Sequence, residues 1–78
     1  MSSIERKVHL TYPPHLVDQP LIYELIKKFD VVVNILEANV TPQEAWLLVA
    51  VRGEEQVVKE GLEWMSAQGI EVKEWAKG

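Results

Sequence analysis

The chain contains no cysteine. That one absence excludes disulfides, thiolate zinc sites, iron–sulfur ligation and cysteine nucleophiles. Positive charge is also scarce: eight Lys and Arg stand against twelve Asp and Glu, giving a net charge of −4 and a pI near 5.0. No basic run exceeds two residues, so docking on phosphate backbones, and with it nucleic acid, is not expected. No apolar run approaches the ~20 residues that a bilayer requires. The opening Met1-Ser2-Ser3-Ile4-Glu5-Arg6-Lys7 likewise has no apolar stretch of signal-peptide length. These absences predict a cytoplasmic protein with no membrane insertion.

What is present is an ordinary globular balance, 47% hydrophobic and 26% charged in 78 residues. The length fits a single domain over residues 1–78, with its core at about 4–76. A chain this short buries only roughly 60% of the surface that its unfolded form exposes. Small domains supplement such thin cores with disulfides, metals or partner subunits, and without cysteine the expected supplement is oligomerisation.

Local patterns supply the elements. Val8, Leu10 and Tyr12 alternate with Lys7, His9 and Thr11 until Pro13-Pro14 stops the ladder, which makes Ile4 to Tyr12 a first strand. Asp18 offers an N-cap oxygen and Pro20 suits a first helical turn. Leu21, Ile22, Leu25, Ile26 and Phe29 then follow at helical spacing. Val31 to Val40 returns to β-branched and apolar types, Thr41-Pro42-Gln43-Glu44 turns the chain, and Ala45 to Arg52 completes a hairpin. After Gly53, Glu54 and Glu55 place negative charge at a helix start. Val57, Val58, Gly61, Leu62 and Met65 form the buried stripe of that helix, and Gly69 fits its left-handed cap. Ile70 to Trp75 alternates again as a fourth strand.

The order strand, helix, strand, strand, helix, strand predicts an α+β, ferredoxin-like βαββαβ fold. In that fold a four-stranded antiparallel sheet carries two helices on one face. Right-handed crossovers make the first and third strands central. Alternation assigns Val8, Leu10, Tyr12, Leu47, Val49, Val51, Ile70 and Val72 to the helix side. Lys7, His9, Thr11, Trp46, Leu48, Ala50, Glu71, Lys73 and Trp75 fall on the open face. Two tryptophans there have two readings. They lie flat on the sheet beside lysine stems, or they belong to an interface formed by Trp46, Leu48 and Trp75.

The second strand poses the functional question. Val31-Val32-Val33-Asn34-Ile35-Leu36 is an apolar run with one amide in it, and burying an unpartnered amide costs ~1–3 kcal/mol. Asn34 is therefore tied to neighbouring backbone or kept to bind something. Simple alternation puts Val32, Asn34, Leu36, Ala38 and Val40 on one face. That places Asn34 at the margin of the core, although a bulge would reverse the parity.

No catalytic constellation emerges. His9 and His15 are separated by Pro13-Pro14, without a nearby carboxylate for a metal site. Glu54, Glu55, Glu60 and Glu63 fall on a solvated helix face. Gly53-Glu54-Glu55 is not a phosphate-cradling loop, since it has a single glycine and its two acids would repel a phosphate. The expectation is a protein that is not an enzyme and uses no cofactor and no metal.

Phe29-Asp30-Val31-Val32-Val33-Asn34-Ile35-Leu36-Glu37-Ala38-Asn39-Val40 follows a helix that opens with Asp-Gln-Pro-Leu. Later, Gly-Leu-Glu-Trp-Met precedes Gly69-Ile70-Glu71-Val72. In these features the chain resembles the NIL domains, a family named for the Asn-Ile-Leu run itself, and the resemblance spans Val8 to Val72. It implies an ACT-like regulatory domain that pairs into homodimers. The best-known setting of that domain is the C-terminus of the ATPase subunit of methionine importers, where methionine binding inhibits transport. The resemblance also implies that Asn34, with Ile35 and Leu36, belongs to a methionine-binding site. Family members also stand beside ferredoxin modules linked to sulfur-amino-acid synthesis, whose clusters this cysteine-free chain does not carry. Read as freestanding, the domain would sense a methionine-like amino acid and act in trans. The alternative is an adaptor without a ligand that docks on a sulfur-metabolism enzyme or transporter.

Overall fold

A computed structural model describes residues 3–75; the expected core boundary at residue 76 and the Met1-Ser2 start lie outside them. β1 (Ser3–Tyr12) is followed by a 3-10 turn at Pro14–Leu16, α1 (Leu21–Lys28), β2 (Val31–Val40), β3 (Ala45–Glu54), α2 (Glu55–Ala67) and β4 (Glu71–Glu74). The four strands form one antiparallel sheet in the order β2-β3-β1-β4. β1 and β3 are thus central and β2 and β4 are edges, as the crossover rule requires.

The helix-side residues make the core. Val8, Leu10, Tyr12, Val49, Val51 and Ile70 pack with Leu21 and Leu25 of α1 and with Val58, Leu62 and Met65 of α2. Full burial of each such aliphatic side chain contributes ~1.5–3 kcal/mol. Ile26 departs from the expected stripe and is exposed, because α1 is short and turns only one flank toward α2. The helices approach closely at Gly61, where a Cβ would lie 3.0 Å from Leu25 Cδ1.

The ends of the helices are set by local chemistry. α2 closes with the Gly69 N–H donating to Ser66 O at 3.0 Å and the Ile70 N–H to Met65 O at 3.3 Å. This double bond requires a left-handed residue, and Gly69 takes φ 107°. At α1 the expected cap fails. Asp18 makes no capping bond, and Pro20 is itself the N-cap residue. The 3-10 turn carries the chain through Gln19, whose N–H donates to Leu16 O at 3.0 Å, so the helix starts too late for Asp18 to reach it.

In the β2–β3 hairpin, the Thr41 N–H donates to Glu44 O at 2.8 Å and the Thr41 hydroxyl bonds the same carbonyl at 2.9 Å. The ladder then slips once, between Ile35 and Glu37, leaving Leu36 as an extra residue. This bulge corrects the expected parity of the strand. Val31, Val33, Ile35, Ala38 and Val40 pair with the helix-side residues Gly53, Val51, Val49, Leu47 and Ala45. Val32, Asn34, Glu37 and Asn39 pair with Arg52, Ala50, Leu48 and Trp46, and so belong to the open face.

Candidate functional site

Asn34 is exposed rather than at the core margin, and among the described residues no polar or charged side chain other than the Tyr12 phenol is buried. The penalty that made this amide costly in the sequence therefore does not arise within one chain. Its side chain stands on the open face.

Cross-strand register organises that face in rows. Glu5, Arg52 and Val32 form the first, and Lys7, Ala50 and Asn34 the second. His9, Leu48 and Glu37 form the third, extended by Lys73 of β4, and Thr11, Trp46 and Asn39 the fourth, extended by Glu71. A depression of about 160 Å³ lies over the first two rows, lined by Glu5, Val32, Val33, Asn34, Ala50 and Arg52. Ala50, the smallest side chain on this face of β3, is among them, and more of the lining is polar than apolar. Glu5 and Arg52 were not singled out by sequence reasoning, although alternation puts Glu5 in phase with Lys7 and Arg52 in phase with Ala50.

Of the other residues expected at the ligand site, Ile35 lies on the helix side of β2 and Leu36 at the bulge, both exposed. The fold thus brings Asn34 together with Ala50 and Arg52, and separates it by face from Ile35. The three residues expected at an interface share the open face but differ in exposure. Trp46 stacks on His9 with ring centroids 5.2 Å apart and planes at 23°, which covers much of it. Leu48 is only 7% exposed, between His9 and Glu37, whereas Trp75 remains 40% exposed with Lys7 Nζ 5.9 Å from its ring centre. The flat-lying reading accounts for Trp46; Trp75 still presents apolar surface.

A second recess, of about 180 Å³, opens on the helix side at the far end of the hairpin, where Tyr12, Ile22, Val40 and Leu47 meet. Its lining is mostly apolar, with Tyr12, Gln19 and Tyr23 as the residues that carry polar side-chain groups. Burial disfavours the phenolate and pushes the Tyr12 hydroxyl up to about 12.

Comparison with known proteins fits this architecture. The NIL domain model matches residues 6–74. The chain belongs to the NIL domain family. The NIL chain is 31% identical over 74 residues to the iron-sulfur subunit of L-aspartate semialdehyde sulfurtransferase from Methanocaldococcus jannaschii, covering 95% of this chain and 56% of that protein. It is 29% identical over 70 residues to the methionine import ATP-binding protein MetN from Coxiella burnetii, covering 85% of this chain and 20% of that one. It thus spans about half of the first relative and a fifth of the second. Among solved structures, the C-terminal domain of an ABC transporter ATP-binding protein from Enterococcus faecalis superposes with TM-score 0.80 at 19% identity, covering 94% of this chain and 86% of that one. A de novo designed protein, Foldit4, shares the topology at TM-score 0.59 and 13% identity, covering 99% of this chain and 100% of that one. That likeness shows the fold alone and carries no function. The likeness to the transporter domain, at 19% identity, likewise shows the fold alone, while the relatives in sequence are named for a sulfurtransferase iron-sulfur subunit and for methionine import. No helix among the described residues is long and apolar enough to cross a membrane.

Proposed function

We propose that this NIL domain is a non-catalytic sensor of methionine or a related sulfur amino acid, working as a homodimer and reporting to a transport or sulfur-transfer partner. The observation that carries the reading is the exposed Asn34 amide on the open sheet face, in a depression of mainly polar lining to which Val32 and Ala50 also contribute. An amide supplies both a donor and an acceptor, which suits the carboxylate and ammonium groups of an amino acid. Ala50 and Val32 give a thioether chain apolar contact from the sheet, and Leu36 stands exposed at the bulge further along β2, while Ile35, on the helix side, is left out of the site. The relatives named for methionine import and for a sulfurtransferase support the ligand class. Pairing through the open face covers Trp75 and screens the site from water, which strengthens polar contacts made there.

Calorimetric titration with L-methionine, L-homocysteine and S-adenosylmethionine tests the reading. Heat that saturates with at least one of them, accompanied by a rise in melting temperature, is the expected outcome; no heat and no thermal shift with all three removes it. The exposed Trp75 favours a second reading, an adaptor without a ligand that docks a partner protein on the same face. Under that reading Trp75→Ala abolishes partner capture and the titrations stay silent.

A further inference from the structure

We infer that Glu5 and Arg52 form a charge pair that reads the zwitterion of an α-amino acid, Arg52 taking its carboxylate and Glu5 its ammonium, with Asn34 alongside. This assignment rests on the sensing reading and names the two residues that give it specificity for free amino acids. Glu5 and Arg52 are direct cross-strand partners, about 4.8 Å apart in the sheet, and their side chains rise from the same face beside one depression. Opposite charges at that separation match a ligand whose own opposite charges sit on a single carbon.

The remaining cations near the site are committed elsewhere. Lys7, which lies directly opposite Ala50 in the ladder, turns its ammonium toward Trp75 on the β4 side. Arg6 points to the helix side and pairs with Glu74. Among the described residues neither Glu5 nor Arg52 is in a salt bridge, so each keeps its hydrogen-bonding capacity for a ligand. Arginine is also the residue that binds a carboxylate with two parallel N–H donors. Ala50, in the next row, places only a methyl group beside the charges, which leaves room for the α-carbon of a ligand.

The test titrates the full chain, and its Arg52→Gln and Glu5→Gln variants, with L-methionine, L-methionine methyl ester and N-acetyl-L-methionine. Both positions are on the sheet surface, and circular dichroism checks that the variants fold. The wild type is expected to bind the ester and the N-acetyl compound each roughly tenfold or more weakly than methionine. Arg52→Gln should weaken methionine by a similar factor and no longer distinguish it from the ester. Glu5→Gln should lose discrimination against the N-acetyl compound in the same way. If methionine binds and both variants bind it as the wild type does, the charge pair is refuted while the sensing reading stands. If the sulfur amino acids fail but another member of a panel of the twenty common amino acids binds, and needs both charges, the pair stands and the sulfur preference falls. Silence across the whole panel overturns both.

Discussion

Asn34 decides how the site is read because its position changes the meaning of its chemistry. Inside the core, an amide without partners costs stability; on an open face it costs little and offers two hydrogen-bonding functions to whatever lands there. Replacement by alanine should therefore alter stability by no more than about 0.5 kcal/mol, the ordinary range for surface changes, as read from urea denaturation. Tyr12 shows the reverse case. Its hydroxyl is held neutral by burial, with its folded value raised to about 12 from 10.0. The folded state therefore holds the proton more tightly than the unfolded state, so the contribution is complete below pH 10 and is lost as pH rises through about 12. Melting temperatures measured at pH 9 and pH 11 should fall less in Tyr12→Phe than in the wild type. An equal fall in both would show that the phenol is not responsible.

At the level of elements, Gly69 closes α2 in the left-handed conformation at φ 107°. Gly69→Ala should cost about 1 kcal/mol or more, a drop of roughly 4–8 °C in Tm per kcal/mol for a domain of this size. An unchanged Tm would mean that the cap relaxes freely. That glycine was legible in the sequence because helix caps are local. So were the strands and helices, whose periods of 2.0 and 3.6 need only neighbouring residues. Leu36 was not legible, since a bulge is fixed by pairing with a distant strand, and one extra residue reverses every side chain beyond it. Strict alternation tied Asn34 to Ala38 and Val40, the pairing that the bulge breaks. The Glu5–Arg52 juxtaposition was hidden for the same reason, because it depends on register between β1 and β3 rather than on either strand alone. Deleting Leu36 should restore a regular ladder without changing which face Asn34 occupies. The flatter β2 edge should then self-associate more readily, as measured by concentration-dependent light scattering.

At the scale of the whole molecule, a 78-residue chain with a one-sided sheet has an obvious use for a second copy. Sedimentation should report a mass twice the 8.9 kDa of one chain, and Trp75→Ala should shift it toward the monomer; a monomeric wild type would remove the dimer from the account. Family membership places the domain among relatives concerned with methionine import and sulfur transfer, while the likeness to a designed protein shows that the fold itself dictates neither. Under the proposed reading, function on this scaffold rests on the few side chains that occupy the open face. The central claim, that Asn34 reads a sulfur amino acid from that face, is tested most directly by titrating L-methionine into wild type and Asn34→Ala and melting both. The account predicts saturable binding to the wild type, at least roughly tenfold weaker binding to the variant, and nearly equal melting temperatures. Equal affinity in the two proteins, or lost binding that merely follows a collapse in stability, would contradict it.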